Sequence, residues 1–232
     1  CVVTQSGVGC NVTSAVSQVI IVAAPAITTQ PASSSVCENG TPTLLTVAFT
    51  NGTGTPTYQW FSNTTNSTTG GTSIAGATAI SYNPPATAVG TLYYYCEITF
   101  SSGGCTSILS NTAQVVINQI PVINNVTAII CSGEQYIFNS TNTNDVLPVG
   151  LQYSWNLISM TPTGTVSGSV NNGILQNQFS QQLVNNSNGI TILVYEVTPK
   201  AGICTGNLFT ITIEVYPKPD VTFDIPNQII CN

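Results

Sequence analysis

Six of the eight cysteines in this 232-residue chain recur on a schedule, and that schedule constrains the fold more than any other feature. Cys10 and Cys37 are 27 residues apart, Cys105 and Cys131 are 26 apart, and Cys204 and Cys231 are 27 apart. The first members sit in similar text: Gly9-Cys10-Asn11, Gly104-Cys105-Thr106 and Ile203-Cys204-Thr205. So do the second: Val36-Cys37-Glu38-Asn39-Gly40, Ile130-Cys131-Ser132-Gly133-Glu134 and Ile230-Cys231-Asn232. Equivalent cysteines repeat after 94 residues (Cys37 to Cys131) and again after 100 (Cys131 to Cys231). A period of this size marks an array of domains of about a hundred residues, and arrays usually reach, space or bind rather than catalyse.

Cysteines at recurrent positions favour disulfides and an oxidising, extracytoplasmic setting. A metal site lacks support, because the chain has no His and no closely spaced Cys pair. Two Lys, Lys200 and Lys218, stand against eight acidic residues. Such a chain does not grip nucleic acid or an anionic membrane, since both need clustered cations to neutralise phosphate. The longest apolar stretch, Val19 to Ile27, is short and holds Pro25, so membrane insertion is not expected. No cofactor is expected either.

Period-two alternation dominates and helical spacing is nearly absent. From Pro25 to Asn118 the expected strands are Ala26–Thr29, Ser34–Cys37, Thr43–Thr50, Thr57–Ser62, Ile80–Tyr82, Thr91–Phe100 and Thr106–Ile117. Gly, Pro and Asn clusters separate them, a pattern that predicts an antiparallel β-sandwich. Trp60 falls in the third main strand and Tyr94 two residues before Cys96 in the penultimate one. An immunoglobulin fold keeps its core Trp and its Tyr-x-Cys at these places. The first cysteine of the usual inter-sheet pair is missing, with Leu45 and Val47 on that strand's inward face. Cys96 is therefore expected in the core as a reduced thiol.

The stretch from Pro121 to Pro217 repeats the scheme, with Tyr153-Ser154-Trp155 paralleling Tyr58-Gln59-Trp60. Counting nine residues back from Cys204 names Tyr195 as the counterpart of Cys96. Proline-bearing joints, Ala23-Ala24-Pro25, Asn118-Gln119-Ile120-Pro121 and Tyr216-Pro217-Lys218-Pro219, predict a semi-rigid, elongated array.

The disulfide candidates are Cys37, Cys105, Cys131 and Cys204, and two pairings fit. Pairing within modules gives Cys37–Cys105 and Cys131–Cys204. Pairing between modules gives Cys37–Cys204. Topology speaks against the first, since the two turns concerned lie at opposite ends of a sandwich and a disulfide needs Cα atoms within about 7 Å. The in-module pairing is nevertheless the expectation, because a short or displaced first strand would rescue its geometry.

No catalytic residue is expected. The carboxylates Glu38, Glu97, Glu134, Asp145, Glu196, Glu214, Asp220 and Asp224 are scattered singly, and no His is present to activate a Ser or Cys nucleophile. Asp220 and Asp224 give a weak hint of calcium. Tyr93 and Tyr95, expected to point outward, form the candidate surface-binding pair for a sugar or another protein, weighed against simply covering a neighbouring strand.

Through Gln30-Pro31, Tyr58-Gln59-Trp60, Ser81-Tyr82-Asn83-Pro84-Pro85 and Gly90-Thr91-Leu92-Tyr93-Tyr94-Tyr95, the first whole module resembles the Ig-like repeats of large Bacteroidota surface proteins. Through Cys131-Ser132-Gly133-Glu134, Tyr153-Ser154-Trp155 and Gly202-Ile203-Cys204-Thr205-Gly206, the second resembles the PKD-like repeats of the same proteins. Such arrays are typical of giant adhesins exported by the type IX secretion system, including gliding-motility adhesins of the SprB type. The resemblance implies an all-β chain of tandem immunoglobulin-like and PKD-like antiparallel sandwiches. Residues 1–22 would close a truncated Ig-like module, 23–119 form an Ig-like module, 120–217 a PKD-like module, and 218–232 open the next. It also implies secretion, cell-surface attachment at the outer membrane, and a stalk role in adhesion. Its partners would be an extracellular surface, a polysaccharide or neighbouring copies of the same protein. The alternatives are a subunit of a self-assembling extracellular filament or sheath, and a carbohydrate-binding accessory module of a secreted enzyme.

Overall fold

The computed structural model describes residues 2–4, 7, 11–18, 21–102 and 107–219. Every element assigned among them is a β-strand, and the chain is all-β, its strands joined in several mainly antiparallel sheets. No helix among the described residues is long and apolar enough to cross a membrane. Contacts gather the chain into two compact units. One holds residues 1–33, 43–84 and 92–114, the other 34–42, 85–91 and 115–232.

In the first unit the long strands Thr53–Asn63 and Gly90–Ser102 pair antiparallel, with Cys96 opposite Trp60 and Tyr94 opposite Ser62. Thr72–Ser73 extends the Thr53–Asn63 side and Ser107–Leu109 returns along Gly90–Ser102. Two further antiparallel pairs, Ala26–Thr29 with Ala48–Thr50 and Leu45–Thr46 with Ser81–Tyr82, complete the unit's layers. Alternation does the sorting, since successive strand residues face opposite sides. Leu45, Val47, Trp60, Cys96 and Ile98 are all wholly buried. Trp60 stacks on Tyr82, whose ring in turn leans on Tyr94. Each such side chain contributes about 1.5–3 kcal/mol on leaving water. Near the N-terminus Val2–Thr4 and Asn11–Thr13 form a short hairpin.

The second unit contains a sheet in the order Val126–Cys131, Phe209–Tyr216, Thr191–Ala201, Leu151–Thr161, Asn172–Gln176, with Cys204–Thr205 folded back on Thr191–Ala201. Two small pairs, Gln135–Ile137 with Ser180–Gln182 and Val166–Ser167 with Val184–Asn185, carry the residues packed against it. Strict alternation along Thr191–Ala201 and Phe209–Tyr216 buries Leu193, Tyr195, Val197, Phe209, Ile211, Ile213 and Val215 in one cluster with Trp155, Phe179 and Leu183. Phe179 is its hub, 4.9 Å from Trp155 and 5.1 Å from Tyr195 between ring centres. No buried side-chain nitrogen or oxygen among the described residues lacks a hydrogen-bond partner.

Not every pairing is antiparallel. Ser34–Cys37 runs parallel to Ala113–Asn118, with Cys37 beside Asn118, and Val126–Cys131 runs parallel to Phe209–Tyr216, with Cys131 beside Tyr216. These two parallel edges place the cysteines discussed below.

Candidate functional site

The parallel edge explains where Cys37 lies. Because Ser34–Cys37 and Ala113–Asn118 run the same way, Cys37 comes to the end at which Ala113–Asn118 finishes. A tight turn follows: Gly40 N–H donates to Cys37 O at 2.9 Å and Glu38 N–H to Asn118 O at 2.8 Å. Asn39 takes a left-handed φ of 61° at the apex, a conformation Asn tolerates better than most residues. Its N–H donates to Ala86 O at 2.8 Å.

Cys204 arrives from a different element. Thr191–Ala201 turns through Gly202, at φ 56°, and Ile203 into Cys204–Thr205, with Ala201 opposite Cys204. Cys204 is wholly buried, and its Sγ lies 3.8 Å from Asn118 O. Cys37 and Cys204 form a disulfide across 167 residues of sequence, with Cα atoms 5.6 Å apart. Both belong to the same compact unit.

This bond corrects the in-module expectation for Cys37, which is joined to Cys204 and not to Cys105. The physical reason is the parallel register, which carries Cys37 beside Asn118 at the finish of the Ala113–Asn118 strand. Cys204 likewise does not pair with Cys131, which is an exposed free thiol. Cys1, Cys10, Cys105 and Cys231 lie outside the described residues, as do Asp220 and Asp224.

The turn at Cys131 repeats the turn at Cys37 bond for bond. Glu134 N–H donates to Cys131 O at 3.1 Å, Ser132 N–H to Tyr216 O at 2.9 Å, and Gly133 N–H to Leu183 O at 2.8 Å. Gly133 has φ 91° where Asn39 has 61°. One difference is chemical: Glu134 stands where Gly40 does, and its Oε2 accepts from Cys131 N–H at 2.9 Å.

Cys96 is a buried free thiol. Its N–H donates to Ser110 Oγ at 2.9 Å. Burial pushes the thiol pKa up to about 12, a backbone hydrogen bond near Gln59 opposing and the Glu97 charge adding to the rise. Its counterpart is not Tyr195. Trp60 faces Cys96 and Trp155 faces Val197, so Val197 matches Cys96 and Tyr195 matches Tyr94. Counting back from the late cysteine names a residue two positions off, because Cys204 follows Val197 by seven residues where Cys105 follows Cys96 by nine.

Tyr93 and Tyr95 do not form an exposed pair. Tyr95 is 4% exposed and stacks flat on Phe61, ring centres 5.0 Å apart and planes 5° apart. Gly71 makes room for it, since a Cβ there would meet Tyr95 Oη at 2.7 Å. Tyr93 is half-buried, its hydroxyl accepting from Gln114 Nε2 at 3.3 Å. Both tyrosines flank the buried Tyr94.

Asp145 organises a loop that no sequence signal announced. Its Oδ1 accepts from Asn124 N–H at 3.0 Å and Asn124 Nδ2 at 2.7 Å, and its Oδ2 accepts from Ser140 Oγ. Burial alone would raise its pKa, but the bonds from Ser140 and Asn124 outweigh this and hold the carboxyl below its usual value. Among the described residues no group of three or more His, Cys, Asp or Glu is placed to hold a metal ion.

Comparison with known proteins matches residues 128–219 to the PKD-like domain family and residues 26–119 to a domain family of unknown function. No curated protein sequence matches the chain. Among solved structures, Sidekick-1 immunoglobulin domains 1–5 share 13% identity over 83% of this chain and 38% of that one, with a TM-score of 0.38. Protocadherin gamma B2 cadherin domains 3–6 share 12% over 85% and 52%, with a TM-score of 0.46. Fibronectin(III)-like modules of Clostridium thermocellum CbhA share 10% over 84% and 95%, with a TM-score of 0.32. The chain thus spans about two fifths to one half of the Sidekick-1 and protocadherin structures. Over residues 128–219 this chain is similar to the PKD-like domain.

Proposed function

We propose that the chain is a stalk segment of a long secreted cell-surface adhesin, built from an Ig-like module over residues 23–119 and a PKD-like module over 120–217. The observation that carries this reading is the Cys37–Cys204 disulfide. It ties a residue of the stretch matching one family to a residue of the stretch matching another. A covalent tie between successive modules is what a load-bearing spacer needs and what a solitary ligand-binding or catalytic domain does not. Its work is mechanical: β-sandwich modules hold a distal binding region away from the cell and carry tension back to it. A role in gliding motility and anchoring at the outer membrane are the finer readings supported by the sequence resemblance.

The test is live-cell tracking with a fluorescent monovalent antibody fragment raised against residues 25–217. Label that moves along the cell, or tethers the cell to a substratum and releases, supports the adhesin. Label fixed in a static coat, or on filaments that outlive the cell, would sink it.

A further inference from the structure

Cys37 and Cys131 occupy the same place in the same structure, yet one is bonded and the other free. Each ends the first strand of a parallel edge pair, beside Asn118 in one case and Tyr216 in the other. Each opens a turn closed by three matching backbone hydrogen bonds. At Cys37, the cysteine of a Gly-Ile-Cys-Thr hairpin fills the position next to Asn118, and Ala201 and Gly202 of that hairpin line a pocket together with Ile117, Asn118 and Gln119.

At Cys131 no described residue fills the corresponding position. A groove of about 360 Å³ lies there, lined by Ile129, Ile130, Cys131, Tyr216, Pro217 and Pro219. Ile129, at its edge, is 65% exposed. A free thiol on a strand edge would by itself say nothing. Here the second observation is its structural twin, which holds a defined partner in the same geometry.

We infer that Cys131 is one half of a further cross-module disulfide, whose other half is the cysteine of a Gly-x-Cys-Thr hairpin on the next sandwich module of the same polypeptide. The inference rests on the stalk reading for the existence of that module. The sequence supplies its beginning, since Ile230-Cys231 repeats Val36-Cys37 and Ile130-Cys131. The partner lies at about the separation of the observed pair, 167 residues. Cys204 itself is not the partner, because it is spent on Cys37. Every module then takes part in two bonds, one from its opening turn to the module after it and one from its late hairpin to the module before it. The bond forms when both thiols give up their protons and two electrons to a disulfide-bearing oxidant of the extracytoplasmic space, which leaves as a dithiol.

The experiment uses the native protein on intact producing cells. Free thiols are capped with iodoacetamide, the protein is digested without reduction, and peptides holding residues 126–134 are identified by mass spectrometry. The expected result is that peptide joined to a Gly-x-Cys-Thr peptide from beyond residue 232 of the same polypeptide, at more than ten times the capped form. Cys131 found capped, joined to glutathione, or joined to Cys131 of a second copy overturns the inference. The same digest reports Cys37–Cys204. If that bond is present while Cys131 is capped, the inference fails and the stalk reading stands. If both cysteines are capped, the two fail together. If Cys131 is joined as expected but antibody tracking finds a static coat, the adhesin reading alone falls.

Discussion

Trp60 and Cys96 face each other across the two long strands of the first unit, and both are wholly buried. The same pairing in the second unit sets Trp155 against Val197. One position thus accepts a thiol in one sandwich and an isopropyl group in the other, which identifies the thiol as packing and not chemistry. Cys96→Val should change the stability of the first unit by less than about 1 kcal/mol, since a volume-conserving apolar swap keeps the contacts. Cys96→Ser should cost about 1–3 kcal/mol, because a more strongly polar hydroxyl is buried there. Urea unfolding of both variants checks the contrast.

The two free thiols among the described residues should differ sharply in reactivity. Cys96 is buried with its pKa pushed up to about 12, while Cys131 is exposed. The thiolate is the reacting form. At pH 8, in the 232-residue chain expressed alone, iodoacetamide should therefore label Cys131 within minutes and leave Cys96 untouched until denaturant is added. Peptide mapping reads this directly, and equal labelling of both in that folded chain would contradict the packing described above.

Removing the cross-link should weaken the second unit more than any surface change. A disulfide closing 167 residues reaches about 5 kcal/mol in the chain-entropy account, and measured effects are typically about 2–4 kcal/mol. The double variant Cys37→Ala/Cys204→Ala should lose about 3 kcal/mol. Calorimetry with and without reductant checks it: reductant should lower the wild-type transition and leave that of the variant where it is.

The left-handed turn residue gives a comparison internal to the chain. Gly133 and Asn39 hold equivalent positions at φ 91° and 61°. Gly133→Asn should be nearly neutral, as Asn already serves in the twin turn. Gly133→Val should cost about 1–3 kcal/mol, because a β-branched side chain is strained at positive φ. Thermal melts of the two variants should rank in that order.

Stability should also fall in acid through Asp145. Its folded-state pKa is lowered from the ordinary 3.8, so its contribution is complete above that value and is lost as pH falls through the depressed folded one. Asp145→Asn should remove this part of the acid sensitivity and lower stability at neutral pH, where the carboxylate holds Asn124 and Ser140. Melting temperature measured from pH 7 down to pH 2 for both proteins tests the sign. A variant with the unchanged wild-type slope would refute it.

Much of the fold was legible because local chemistry dictates it. Period-two alternation marked Ala26–Thr29, Ser34–Cys37 and the long central strands, and it put Leu45, Val47 and Cys96 inside. The short Thr72–Ser73 strand went unseen, since two polar residues carry no period. Tyr95 was legible in part, since covering a neighbouring strand was one of the two readings weighed for it and Phe61 lies on that strand. Alternation aimed it away from the Trp60 side, but Phe61 and Gly71 provide a second buried surface there. The Asp145 clamp joins residues 21 apart through side-chain hydrogen bonds, and no spacing rule predicts such a contact.

What the sequence determined by itself is the all-β class, the main strands of the first sandwich, the inward place of Leu45, Val47, Trp60 and Cys96, and the recurrence of the cysteines, because these follow from side-chain period and turn chemistry within short windows. The tertiary structure decided which cysteines meet. A disulfide needs two Cα atoms at one place, and here that place is set by a parallel strand register between Ser34–Cys37 and Ala113–Asn118 together with a hairpin 167 residues on. Neither the direction of an edge strand nor a contact at that separation is written in local pattern. Both depend on how the remaining strands have already folded.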